Sequence, residues 1–206
     1  MNIAIILSGC GNRDGSELQE TLSLFLAIDR RGWHYQCFAP EGRYSVVSHL
    51  DGSEPAEQRD LLTESARIAR GDIKPLEQFR PDAFDALALP GGMGAARNLS
   101  TFAFDGPAMT VRPDVEKAIL AMCIAPMVLA KVLGKEGVAL TLGLENAASK
   151  VAAQLGANVQ HRGVTEVCVD SRHRVYTTPA YMVGTRISEI FAGAENMIAA
   201  LEQDCR

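Results

Sequence analysis

No apolar run in this 206-residue chain is long enough to cross a bilayer. Runs such as "NIAIILSGCG" and "FDALALPGG" fall well short of the about 20 residues that a spanning helix needs. A block of basic residues is also missing. The net charge of −5 is carried by mixed signs, which excludes the electrostatic footprint of a nucleic-acid surface. "MNIAIILSG" has neither a basic stretch nor a clear cleavage site, so no secretion signal is expected. Cysteines stand at 10, 37, 123, 168 and 205, an odd number without CxxC spacing. That argues against a disulfide framework and against a structural zinc site, and it points to reduced thiols in the cytoplasm. Histidines 34, 49, 161 and 173 are scattered without metal-ligand spacing, and each reads as a surface or satisfied side chain. Internal repeats, low-complexity tracts and linkers are lacking too, so one domain over residues 1–206 is expected.

What is present is a sequence with 47% hydrophobic and 22% charged residues, arranged as short apolar runs between helical patterns. "NIAIILS" (2–8) is continuous and β-branched and stops at Gly9, as a strand buried on both faces does. A helix with start and stop signals is predicted over 14–32, and a strand over 33–40. "SVVSHLDGSE" suggests a short strand and turn. Residues 56–78 suggest a helix ending near Arg70 and Gly71, followed by an extended connection. "AFDALALPGG" (83–92) reads as a second buried strand and "AILAMC" as a third. "ENAASKVAAQLGANV" reads as a helix stopped by Gly156, "EVCVDSRHRVYTTPA" as a strand pair, and "RISEIFAGAENMIAALEQ" as a C-terminal helix. Strands alternating with helices predict an α/β sandwich around a mostly parallel sheet.

In such sheets ligands bind beyond the carboxyl ends of the strands. Three of those ends carry unusual residues: "SGCGNRDGSE", "LPGGMGAARNL" and "LAMCIAP". "SGCG" lacks the full GxGxxG pattern and "GGMG" lacks a lysine partner, so neither a dinucleotide nor a phosphate loop is expected. Cys123 reads either as a small buried hydrophobe or as a nucleophile at a strand-to-helix turn, with Pro126 in the first helical turn and a dipole favouring thiolate. Glu17, just inside the first helix, is either a plain first-turn acid or a proton shuttle facing that thiol. The pair Gly91 and Gly92 is either a turn or a source of exposed N–H groups suited to an oxyanion. Cys10, between two glycines, is better read as part of a tight turn than as a second reactive thiol.

In that order along the chain, "LSGCGNRDGSE", "ARIARGDIKPL", "LPGGMGAARNLSTFA", "MCIAP", "LTLG" and "VYTTPAYM" resemble the PfpI-like superfamily. Its members share a class I glutamine-amidotransferase-like fold. The resemblance extends over residues 7–182 and is strongest to the ElbB-like ("enhancing lycopene biosynthesis") branch, assigned as glyoxalases. It implies a flavodoxin-like three-layer sandwich, a homodimer, a nucleophile at Cys123 and a Glu17 carboxyl sharing its proton. Backbone N–H groups of Gly92 and Ile124 would then be the oxyanion donors, with no metal or nucleotide cofactor.

The activity so implied is a glyoxalase III-type lyase taking a small dicarbonyl: glyoxal to glycolate, or methylglyoxal to lactate, through a cysteine hemithioacetal. Apparent deglycase activity would be the same carbonyl chemistry. Two departures matter: the stretch leading into Cys123 is roughly ten residues shorter than in ElbB-like chains, which leaves the helix before "AILAMC" reduced to about a turn, and the superfamily's histidines are missing. Many superfamily members carry a histidine directly after the nucleophile, and others carry one further on; here those positions hold Ile124 and Leu142. Protease chemistry, which needs a group to protonate the leaving amine, is disfavoured by their absence, as is amidotransfer. The alternatives are a redox-sensing thiol without significant turnover, and an interaction partner in isoprenoid metabolism.

Overall fold

The computed structural model describes residues 1–112 and 120–205. The chain begins with β1 (Asn2–Ile6), α1 (Leu18–Asp29), β2 (His34–Ala39), β3 (Arg43–Ser45), β4 (Gln58–Asp60), α2 (Leu61–Ile68) and β5 (Ile73–Pro75). It continues with β6 (Ala86–Leu89), α3 (Met93–Arg97), α4 (Phe102–Asp105), β7 (Leu120–Met122), α5 (Pro126–Leu133) and β8 (Ala139–Leu140). The last elements are α6 (Ala147–Gln154), β9 (Asn158–Val159), β10 (Cys168–Asp170), β11 (Val175–Thr178) and α7 (Ile187–Asp204).

Seven strands form one sheet in the order β10-β11-β7-β6-β1-β2-β5, parallel throughout except for β10, which runs antiparallel to β11. Successive strand residues point to opposite faces, yet Ile3, Ala4, Ile5 and Ile6 are all buried, and so are Ala86 to Leu89 and Leu120 to Met122. Both faces of the central strands are therefore covered, which is the arrangement that continuous apolar runs demand. Helix α1 packs along α7, while α5 packs on α3 and α6. Together these layers make the flavodoxin-like sandwich anticipated from the sequence. Each large aliphatic side chain in this core, Ile5, Leu24 or Ile198 for example, contributes about 1.5–3 kcal/mol by leaving water.

The sheet order reverses at β1. The chain runs outward from β1 through β2 to β5, then returns to the other side of β1 with β6, followed by β7 and β11. The switch point thus lies between β1 and β6, and the loops after β1, β6 and β7 gather there.

Several boundaries differ from the sequence reading, each for a non-local reason. Helix α1 starts at Leu18 rather than near 14, because residues 9–16 form a compact loop of their own. In that loop Gly11 N–H donates to Ser16 O at 2.9 Å, Gly15 N–H to Gly11 O at 2.8 Å, and Ser8 N–H to Ser16 Oγ at 2.9 Å. The stretch from 56 begins not as helix but as β4, which pairs with β3, and Asp60 then caps α2 by accepting from Thr63 N–H at 2.8 Å. The extended connection after α2 is an edge strand, β5, paired with β2. Leu120–Met122 is the strand that enters Cys123. Its earlier residues, Ala118 and Ile119, and the shortened helix expected before them lie outside the described residues.

Candidate active site

Cys123 follows β7 directly and has φ +58°, a left-handed backbone that an L-residue adopts only when its surroundings hold it there. Its N–H donates to Thr178 O of β11 at 3.0 Å, and Pro126 starts α5 three residues later, where the missing N–H costs nothing. The thiol therefore projects from a sharp strand-to-helix turn over the end of the sheet. Cys123 is 9% exposed, and only its cavity side is open.

The β6 loop reaches the thiol because it carries no side chains there. A Cβ on Gly91 would collide with the Cys123 Cβ and with Glu20 Oε2, and would lie 3.1 Å from Sγ. Gly92 has φ +95°, and a Cβ on it would collide with Gly15 O and Glu17 N. The two loops are also tied by hydrogen bonds: Glu17 N–H to Gly91 O at 2.9 Å, Met93 N–H to Asn12 O at 2.8 Å, and Gly94 N–H to Gly15 O at 2.8 Å. Close backbone approach, more than turn formation, is what the glycine pair provides.

The expected residues do come together, with one redistribution of roles. The N–H groups of Gly92 and Ile124 both face the Cys123 sulfur and favour its anion. Neither donates to a backbone carbonyl among the described residues. Glu17 lines the same cavity as Cys123, but its carboxylate caps α1, accepting from Glu20 N–H at 2.6 Å. The carboxyl that lies against the thiol belongs to Glu20, one helical turn on and fully buried. Its Oε1 accepts from Tyr181 N–H at 3.2 Å, and its Oε2 faces the thiol and Gly91 N–H without a well-aligned partner.

This packing sets the protonation states. Burial, reinforced by the neighbouring Glu17 carboxyl, pushes the Glu20 pKa up to about 8, so Glu20 is neutral at pH 7. Burial also raises Glu17, against the pull of the helix N–H groups it caps. Burial, and then the Glu20 carboxyl, hold the Cys123 thiol well above its ordinary range, opposed by the Gly92 and Ile124 N–H groups. Thiol and carboxyl share one dry pocket, so their protons titrate as a pair.

A cavity of about 340 Å³ opens over Sγ, with Glu17, Gly92, Cys123 and Ile124 at its floor and Asn12, Met93, Tyr181 and Met182 as walls. Tyr181 Oη donates to Gln19 Oε1 at the mouth. No histidine lines this cavity; Leu142 is buried in the core. Cys10 sits apart from it, with Glu64, Arg67, Asp14 and Arg59 as its charged neighbours. Among the described residues, no group of three His, Cys, Asp or Glu side chains is placed to hold a metal ion, and no helix is long and apolar enough to cross a membrane.

Sequence reasoning passed over Glu20, Asn12, Met93, Tyr181 and Met182. The signal for Glu20 was available: it falls on the stripe of Leu24, Ala27 and Ile28, the face of α1 that turns to the core. A carboxyl on a buried stripe needs a partner. For the other four, nothing local distinguishes them from ordinary loop residues.

The chain is similar over most of its length to characterised and solved proteins. It is 39% identical over 218 residues to the mitochondrial ES1 protein homolog of Rattus norvegicus, covering 95% of this chain and 81% of the relative. It is also 39% identical over 217 residues to the mitochondrial glutamine amidotransferase-like class 1 domain-containing protein 3 of Homo sapiens, covering 95% and 80%. The crystal structure of an isoprenoid biosynthesis protein with an amidotransferase-like domain from Ehrlichia chaffeensis superposes with TM-score 0.90 at 32% identity, over 98% of this chain and 99% of that one. A ThiJ/PfpI domain protein from Brachyspira murdochii shares the fold at TM-score 0.58 and 15% identity, over 98% and 96%. No family model matches the chain.

Proposed function

Since the chain belongs to the ES1 and glutamine amidotransferase-like class 1 proteins of the PfpI-like superfamily, we propose that it is a cofactor-independent glyoxalase acting through Cys123. One observation carries the reading. A strained thiol has two backbone N–H groups turned to its sulfur on one side and a buried, neutral carboxyl on the other. That set fits addition of sulfur to an aldehyde, where negative charge develops on oxygen and a proton must be moved nearby.

In this mechanism Cys123 Sγ bonds to the aldehyde carbon of glyoxal or methylglyoxal. The carbonyl π pair moves to oxygen, held by Gly92 and Ile124 N–H, and the thiol proton completes the hemithioacetal. Glu20, in the fraction that is ionised near its pKa of about 8, then takes the C–H proton of the hemithioacetal carbon and returns it to the neighbouring carbon of the enediol, so that the aldehyde carbon is oxidised to a thioester while its neighbour is reduced to an alcohol. Water hydrolyses the thioester, releasing glycolate or lactate and the free thiol. The proton-sharing role that the resemblance put on Glu17 is moved to Glu20, the carboxyl in contact. Glu17 is left to cap α1, to tune Glu20, and to face the substrate.

A homodimer is part of the proposal. Leu18, Leu22 and Leu26 form an exposed stripe on α1, at 41%, 51% and 46% exposure, continuous with the stacked rings of Phe25 and Tyr35. A cytoplasmic setting suits five free cysteines.

The test is proton NMR of glyoxal conversion to glycolate in an amine-free buffer, for the wild type, Cys123→Ser and Glu20→Gln. The reading requires turnover by the wild type and its loss in both folded variants. A folded wild type that makes no glycolate or lactate overturns it.

A further inference from the structure

The cavity over Cys123 is far larger than glyoxal and lined by the wrong groups for an acid. Pockets of about 300–1,000 Å³ take ligands of drug size. A four-heavy-atom dialdehyde leaves most of the 340 Å³ here unfilled. What surrounds the unfilled part is apolar: the half-buried side chains of Met93 and Met182, with Ile124 and the Tyr181 ring. Methionine is unbranched and polarisable, and it moulds itself to varied apolar groups.

The polar inventory is one-sided. Glu17 and the neutral Asn12 line the cavity, Glu20 stands behind Cys123, and among the described residues no lysine, arginine or histidine contributes to the walls. The contrast with the other large cavity, about 370 Å³, is informative. That one shares no residue with the Cys123 cavity and is lined by Arg43, Arg97 and Arg112 beside Glu41 and Glu54. An anion entering the Cys123 cavity would lose hydration and meet the Glu17 carboxyl, with no cation among the described residues to pair with.

We propose that this cavity selects uncharged carbonyl compounds carrying an apolar substituent and turns away carboxylates, with Met93 and Met182 reading the substituent and Glu17 repelling the acid. The proposal rests on the carbonyl reading of Cys123 above and goes beyond it in substrate class. Glyoxal becomes a minimal substrate, and an aryl- or alkylglyoxal a better one. A hydrophobic pocket gains about 10–200-fold for each well-seated group, so phenylglyoxal should exceed glyoxal at least tenfold in kcat/KM, with 4-carboxyphenylglyoxal, which keeps the dicarbonyl and adds a carboxylate, at least a hundredfold below phenylglyoxal.

Two measurements separate this from the activity itself. The first compares kcat/KM for phenylglyoxal, glyoxal and 4-carboxyphenylglyoxal. The second needs no turnover: the rates of Cys123 alkylation by iodoacetamide and by iodoacetate, read by peptide mass, against the same pair on a free neutral thiol. The cavity should favour iodoacetamide at least tenfold more than the free thiol does. Met182→Arg, or Met93→Lys if the first variant fails to fold, should shrink that preference. If the wild-type ratio holds while no dicarbonyl is turned over, the glyoxalase reading falls and the charge selection stands. A ratio equal to that of the free thiol, or glyoxal preferred to phenylglyoxal, overturns the proposal.

Discussion

Glu20 and Cys123 face each other across the bare backbone of Gly91: a single methyl group there would strike both the glutamate Oε2 and the cysteine Cβ. The acid and the thiol come from elements far apart in sequence, and the space a side chain would fill is what lets them meet. Gly91→Ala should therefore act twice. Overpacking costs about 1–3 kcal/mol, or roughly 2–12 °C in midpoint for a chain of this size. It should also separate the pair, lowering glyoxal turnover at least a hundredfold and changing the pH at which Cys123 alkylates. Thermal melts beside iodoacetamide labelling of Cys123 check both effects. A variant with wild-type labelling and stability would mean that the loop yields without cost.

The buried Glu20 carboxyl makes stability depend on pH in a direction opposite to most carboxylates. Its folded pKa is raised to about 8, well above the ordinary value of 4.5. Between those two values the unfolded chain holds fewer protons than the folded one, so stability falls as pH rises through that window. Glu20→Gln keeps the neutral shape of the protonated acid and has no proton to lose. Its melting midpoint should match the wild type near pH 5 and exceed it by several degrees near pH 8.5, which differential scanning at the two pH values would show. A wild type whose Glu20-dependent stability rose from pH 5 to 8.5 would contradict the assigned protonation state.

How legible this was in the sequence follows from how local each feature is. The strand Ile3–Ile6 and the run Ala86–Leu89 declare themselves, because a strand buried on both faces needs no partner information to be apolar throughout. The turn at Cys123 was read from an apolar run and a proline close to it in sequence, whereas the pairing of Gly92 and Ile124 around it came only from the family resemblance, because Gly92 sits on a distant loop. The elements misplaced were those decided by distant pairing. Gln58–Asp60 has helical neighbours but is fixed as strand by Arg43–Ser45. The loop at 9–16 is fixed by its own bonds and by Asn98, whose side-chain amide donates to Ser8 O and Asp14 O at 2.8 Å each. Glu20 was passed over because its place against the thiol depends on which way α1 faces once packed on α7. Helical spacing alone offers two acids one turn apart.

Those two acids should separate experimentally. Glu17→Gln retains an oxygen that can accept from Glu20 N–H, so it should keep the α1 cap, whereas Glu17→Ala loses the cap, at about 0.5–2 kcal/mol. Removing the Glu17 charge should also lower the Glu20 pKa, since that charge is the second cause of its rise. The glyoxal pH–rate profile, with an apparent pKa near 8 set by the Glu20 and Cys123 pair, should then move to lower pH in Glu17→Gln. It should lose that limb altogether in Glu20→Gln. An unmoved profile in Glu17→Gln would assign Glu17 to capping alone.

The leucine stripe on α1 gives the quaternary prediction. Leu18, Leu22 and Leu26 recur at four-residue spacing and so share one side of the helix, while Ala27 and Ile28 on the other are fully buried. Exposing three leucines in line is costly for a monomer, and burial of each in a symmetric contact would contribute about 1.5–3 kcal/mol. A two-fold contact presents the same patch twice, so one substitution is counted twice. Leu22→Arg should put two cations face to face near the centre of that contact and convert a dimer to a monomer, with the fold unchanged by circular dichroism. Light scattering behind size exclusion reads the mass directly. A wild type that runs as a monomer at concentrations of tens of micromolar, or a Leu22→Arg variant that remains dimeric, would place any self-association elsewhere on the molecule. Because Leu18 adjoins Glu17 at the cavity floor, monomerisation should also raise KM for glyoxal by loosening the first turn of α1, with kcat changed less.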